Sequence, residues 1–186
     1  MRKTVTSLFI SLDGVVEAED DWQFAYLDDD TFGALTTAWD RVDAALMGRR
    51  SFQGYDAVRA ANPASPVVGF LNRVHRYLVS TTLTSVAWHG STVLNGDVRD
   101  QVLHLKQQPG KDILVLGSPS LVRWMLGQRL LDELALIVLP IIAGSGVRLF
   151  PEDSTADPLT RLGLDLMNVK SLRSGTLQIT YTPAAG

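Results

Sequence analysis

Two hydrophobic rhythms take turns along this chain. Short runs dense in β-branched and aliphatic side chains read as strands: Val5–Leu12, Ala44–Met47, Tyr77–Val79, Thr92–Leu94 and Ile113–Leu116. The last shows no alternation, as expected of a parallel strand buried on both faces. Between these runs apolar residues recur every three or four positions, which predicts helices with one buried face. Phe32, Leu35, Trp39 and Val42 predict a helix capped by Asp30, and a second helix starts near Arg50. Asn62-Pro63-Ala64-Ser65-Pro66 breaks the chain before a short apolar turn or helix to Asn72. Val98, Val102 and Leu105 line a helix capped at Asn95-Gly96-Asp97. Leu121, Val122, Met125, Leu126 and Leu130 line another. Leu134–Ile142 is continuously apolar. Met167–Leu172 and Thr176–Thr182 flank Arg173-Ser174-Gly175 and read as an antiparallel hairpin, with Leu177, Ile179 and Tyr181 alternating against Gln178, Thr180 and Thr182. Residues 1–186 are therefore expected to form one α/β domain, its central sheet mostly parallel with an antiparallel C-terminal hairpin.

Two stretches lack either rhythm. From Val15 to Asp30 the chain carries Trp22, Phe24 and Tyr26 among Glu17, Glu19, Asp20, Asp21, Asp28, Asp29 and Asp30. A long aperiodic loop with aromatics reads as a lid or as a solvated surface loop. Residues 152–161 are polar and expected at the surface.

Composition narrows the function classes. Hydrophobic residues make up 46% of the 186 and charged residues 20%, a globular balance. The net charge of −3 argues against a general nucleic-acid binder. The chain has no cysteine, which excludes disulfides and thiolate metal sites and fits a cytoplasmic protein. No apolar run is long enough for a membrane span. His75, His89 and His104 show no metal-ligand spacing, so no metal is expected. A small-molecule partner remains.

In open α/β sheets ligands bind beyond the carboxyl ends of the strands, so the residues at those ends matter most. Four ends stand out: Asp13-Gly14, Gly48-Arg49-Arg50-Ser51, Ser80-Thr81-Thr82 and Gly117-Ser118-Pro119-Ser120. Two lead into helix N-termini, whose free N–H groups attract phosphate. Arg49 and Arg50 add charge and forked donors; Ser51, Ser80, Thr81 and Thr82 add hydroxyls. The set suits a dinucleotide, although the Gly-x-Gly-x-x-Gly fingerprint is absent. Turns also favour Gly and Ser for purely structural reasons.

Ser11-Leu12-Asp13-Gly14, Met47-Gly48-Arg49-Arg50-Ser51, Leu116-Gly117-Ser118 and Gly144-Ser145-Gly146-Val147-Arg148-Leu149-Phe150 follow in this order. Over about residues 5 to 182 the chain resembles the reductase family that includes the C-terminal half of the bifunctional riboflavin-biosynthesis deaminase-reductase. That family shares the three-layer dihydrofolate reductase fold. The resemblance implies a stand-alone, NADPH-dependent reductase of the 5-amino-6-(5-phosphoribosylamino)uracil reductase type, moving a hydride to a small heterocycle or sugar imine. It implies cofactor contacts at Gly14, Gly48, Arg49, Arg50, Ser51, Ser80, Thr81, Thr82, Leu116, Gly117, Ser118, Pro119, Ser120, Leu121 and Val122. By the same likeness a cis Gly117–Ser118 peptide is a possibility and a homodimer is expected. The family's Arg after the first Asp-Gly is replaced by Val15. Asp13 and Asp28 are the candidate proton donors, with a turn residue and a helix cap as their structural alternatives. Trp22 and Phe32 are candidate substrate contacts. Two other functions fit the same residues: a non-catalytic nucleotide-binding module, and a structural homodimer assembled through Leu134–Ile142.

Overall fold

The computed structural model describes residues 1–17, 22–37, 39–151 and 161–184. Glu19, Asp20 and Asp21 of the acidic loop, and nearly all of the polar stretch 152–161, lie outside the described residues.

Eight strands form one sheet. In chain order they are β1 (Thr4–Ile10), β3 (Val42–Gly48), β4 (His75–Val79), β5 (Ser91–Leu94), β6 (Asp112–Val115), β7 (Glu133–Val138), β9 (Leu164–Ser171) and β10 (Leu177–Pro183). Across the sheet the order is β5-β4-β3-β6-β1-β7-β10-β9. β5 through β7 pair in parallel; β10 runs antiparallel to both β7 and β9. A small separate pair joins β2 (Val15–Glu17) to β8 (Val147–Arg148). The helices are α1 (Asp29–Thr36), α2 (Arg49–Ala61), α3 (Pro66–Arg73), α4 (Val98–Gln107) and α5 (Pro119–Gly127).

The two faces of the pleat bury different sets of residues. Leu8, Ile10, Leu46, Val115 and Leu134 pack with Val102 and Leu105 of α4 and Val122, Met125 and Leu126 of α5. Val5, Ala45, Met47, Leu78 and Leu114 pack with Phe52 of α2 and Phe70 and Leu71 of α3. The period-2 alternation of β1 and β3 thus serves two helical layers, which is why these strands read as unbroken apolar runs.

Four expectations shift. The cap of α1 is Asp28, not Asp30: its carboxylate accepts the Thr31 N–H at 2.7 Å. The helix stops at Thr36, and the hydroxyl of Thr37 bonds back to the Gly33 carbonyl at 2.7 Å. Trp39 and Val42 continued the helical spacing by coincidence. Trp39 stacks on Phe70 at 4.7 Å instead, and Val42 opens β3. The apolar run Leu134–Ile142 is a strand only to Val138, and β1 and β10 occupy both of its edges, so it offers no edge for assembly. The Gly117–Ser118 peptide is not cis; no cis bond occurs among the described residues. The chain turns there instead through left-handed backbone at both residues, φ +62° at Gly117 and +58° at Ser118.

The uncovered apolar surface lies at the other end of the sheet. Every residue of β9 is exposed. Cross-strand pairing puts Leu136, Ile179 and Val169 in one row and Leu134, Tyr181 and Leu166 in the next. Helices α4 and α5 bury Leu134, but Val169 and Leu166 remain 54% and 57% exposed.

Candidate functional site

β3 and β6 are neighbours, so the turns that leave their carboxyl ends lie side by side. The Ser118 hydroxyl accepts the Gly48 N–H at 2.7 Å and hydrogen-bonds the Ser51 hydroxyl at 2.7 Å. This clasp explains both glycines. A Cβ on Gly48 would sit 2.9 Å from Ser118 Oγ, and one on Gly117 2.9 Å from Ser51 Oγ. The starts of α2 and α5 are thereby held together. Gly48 caps α2 without a side chain, and no acid occupies its first turn. Its leading N–H groups are left facing outward with partial positive charge.

Those two helix starts bound a cavity of about 810 Å³. Gly48, Arg49, Arg50 and Ser51 line one side, and Ser118, Pro119, Ser120 and Leu121 another. The start of α4 completes it with Gly96, Asp97 and Arg99, and Arg123 adds a fourth arginine. Arg99 and Arg123 are residues that sequence reasoning missed. The signal for Arg99 lies in the chain: Asn95-Gly96-Asp97 is also a strand end opening into a helix, and Arg99 follows it on the first turn.

A second cavity, of about 440 Å³, opens beyond β1 and β6. Leu116 and Gly117 lie on its wall, together with Phe24, Phe32, Trp39 and Tyr55. Glu17 and Pro119 line both cavities and mark where they meet. Partial enclosure pushes the Glu17 carboxyl above its ordinary value, with the Arg50 guanidinium pulling the other way. Burial, with the Glu17 charge, pushes the Tyr55 phenol up to about 12. Glu17 was legible only as one acid among seven in an aperiodic loop. Its place on β2, paired to β8, depends on tertiary structure.

The remaining sequence candidates do not line either cavity. Asp13 lines neither cavity. Its carboxylate accepts from the Ser11 hydroxyl at 2.7 Å and from the Ala143 and Gly144 N–H groups at 2.9 Å, and it pairs with Arg148. These donors hold it well below the usual carboxylate range, so it stays ionised and has no proton to deliver near neutrality. It ties the end of β1 to the loop after β7. Gly14, with φ +85°, turns the chain beside it. Asp28 is exposed and held low by the Thr31 N–H that it caps. Trp22 is 9% exposed and packs with Val15, Ala34, Ile137, Leu139 and Leu172 rather than on a cavity. The Ser80 hydroxyl accepts from the Thr82 and Leu83 N–H groups, and Ser80, Thr81 and Thr82 lie outside both cavities; Val79 takes their place on the wall. Val122 is fully buried in the core. Among the described residues no cluster of three or more acidic or histidine side chains could hold a metal ion, and no helix is long and apolar enough to cross a membrane.

The model of the RibD C-terminal domain matches residues 2–177. The chain belongs to this family. YyaP of Bacillus subtilis (strain 168), an uncharacterized protein, is 29% identical over 187 residues, covering 97% of this chain and 94% of YyaP. Among solved structures, the chain is similar to a pyrimidine reductase-like protein from Corynebacterium diphtheriae. The TM-score is 0.68 at 16% identity, over 100% of this chain and 93% of the other. It is also similar to the dihydrofolate reductase of Enterococcus faecalis, solved with NADP(H). That TM-score is 0.58 at 14% identity, over 98% of this chain and 97% of the other. The RibD C-terminal domain described here therefore has a dihydrofolate reductase-like fold, and its family points to reductase-type chemistry.

Proposed function

We propose that this RibD C-terminal domain protein is an NADPH-dependent reductase that moves a hydride to a small heterocycle or sugar imine. The observation that carries the reading is the junction: a cavity lined by arginines and helix N-termini meets an apolar one at Glu17 and Pro119. The first cavity fits a dinucleotide in chemistry. Its donors are arginines and backbone N–H groups, and side chains at positions 48 and 117 would collide with the serine clasp beneath it. The guanidinium groups of Arg49 and Arg50, with the leading N–H groups of α2, would hold phosphate. The start of α5, from Ser118 to Leu121, would follow the chain of the cofactor toward the junction. Arg99 and Arg123 offer charge for a further phosphate. Bound NADPH supplies a hydride, and the protein supplies position, charge and exclusion of water.

Calorimetric titration of the purified chain with NADPH and with NADH tests this. Binding of NADPH at least tenfold tighter than NADH is expected, because only NADPH carries the extra phosphate. Absence of NADPH binding would overturn the reading.

The reductase is further proposed to be a homodimer formed by the exposed apolar side chains of β10 and β9. Leu164, Leu166, Val169 and Leu177, each 36–57% exposed, leave apolar side chains grouped on one surface, which a partner would cover. Cross-strand pairing gathers these side chains on one sheet face, and a second copy turned by a two-fold axis presents the same surface to it.

A further inference from the structure

We propose that the second cavity takes a flat, uncharged ring and that Glu17 excludes anionic, phosphate-bearing ligands from it. This deepens the reductase reading by naming its substrate class and rests on that reading only for the ligand being a substrate.

Three features of the cavity lead there. The first is shape. Trp39 is fixed by stacking on Phe70 at 4.7 Å and 15°, and Phe32 meets it edge-on at 6.2 Å and 84°. A wall of immobilised aromatic faces favours a planar ligand. The second is the lining charge. Among the described residues no Lys, Arg or His lines this cavity, and Glu17 is the one charged side chain on its wall. A buried phosphate needs paired cations or several N–H donors. Arg49 and Arg50 line the neighbouring cavity instead. The start of α3 does reach the wall at Ser65–Val67, but Pro66 removes one of its N–H groups. The third is the stretch that builds the wall. No Lys or Arg occurs between Lys3 and Arg41, and this span supplies Glu17, Phe24, Phe32 and Trp39 to the cavity. Ser7, Gln23 and Ser65 remain as neutral hydrogen-bonding groups to orient a ring. Partial enclosure, which raises the Glu17 pKa, also strengthens its repulsion of a second negative charge when it is ionised.

The test uses two probes that share one ring, quinoxaline and quinoxaline-2-carboxylate. Binding to the full chain without cofactor is measured by calorimetry and by saturation-transfer NMR at pH 7.5. Quinoxaline is expected to bind at least tenfold more tightly than its carboxylate. Glu17→Gln should bring the two within about threefold, mainly by improving the carboxylate. Phe32→Ala should weaken quinoxaline, which locates the ring in this cavity. Equal binding of the two probes, discrimination that survives Glu17→Gln, no binding of quinoxaline, or indifference to Phe32→Ala would each overturn the proposal. NADPH titration is independent of these measurements. Loss of the cofactor reading alone would leave the probe selectivity in place, and loss of selectivity would leave NADPH binding intact.

Discussion

Ser118 combines a backbone cost with a hydrogen-bonding gain, and two substitutions separate them. Ser118 is 7% exposed, and its left-handed conformation, φ +58° and ψ +71°, costs an L-residue about 1 kcal/mol. Its hydroxyl accepts the Gly48 N–H and bonds the Ser51 hydroxyl, both at 2.7 Å. Ser118→Ala keeps the backbone cost and strands both partners. Leaving a sheltered donor unpaired costs about 1–3 kcal/mol, so a loss of about 2 kcal/mol is expected. Ser118→Gly strands the same partners but relieves the left-handed strain, so its loss should be about 1 kcal/mol. For a chain of this size those values correspond to Tm decreases of about 4–8 °C and about 2–4 °C. Urea titration and thermal melting by circular dichroism read both. The two variants should also weaken NADPH, since the clasp holds the starts of α2 and α5 together. If alanine proves no worse than glycine, or if both melt within 1 °C of the wild type, the account of Ser118 as a strained clasp is refuted.

Arg49→Ala and Arg50→Ala are each expected to raise the NADPH Kd about tenfold or more, the worth of one charge-assisted contact, while leaving quinoxaline affinity unchanged; calorimetry with both ligands checks this. Acid stability follows from Asp13, Asp28 and Asp30, all held below the ordinary value of 3.8 by their hydrogen-bond donors. Their contribution is complete above that value and is lost as pH falls through the lower folded-state values, so urea midpoints should drop steeply below it, and Asp28→Asn should flatten the drop. Glu17 acts with the opposite sign: its raised pKa means that stability falls as pH rises through 4.5 and above, and Glu17→Gln should remove that decline in the same titration. Leu166→Lys with Val169→Lys should convert a dimer to a monomer in light scattering; a wild-type monomer, or a dimer that survives both charges, would remove β9 from any assembly.

The parallel core was legible along the chain because it obeys local rules. Ala44–Met47 and Ile113–Leu116 are apolar without alternation because helices cover both faces, and that requirement is written directly into composition. The basic turn at Gly48–Ser51 was legible for a similar reason: a strand end, a glycine and two arginines are contiguous in sequence. Trp39 was misplaced because helical spacing continues past the true end of α1 while an aromatic stack, a contact outside the periodic pattern, holds it; the cap expected at Asp30 lies two residues earlier, at Asp28, in a run of three aspartates that sequence alone does not rank. Asp13 was equally opaque. Its motif marks a turn, and the nearest donor, the Ser11 hydroxyl, is local, but the N–H groups of Ala143 and Gly144 that complete the set come from about 130 positions away. Sequence by itself thus determined the α/β class, the mostly parallel pairing of the core and the basic turn, because burial and helix starts act within a few residues. Only the tertiary structure decided which acid meets the cavities. β2 reaches the junction by pairing with β8, and the enclosure that raises the Glu17 pKa comes from residues that share no local pattern with it.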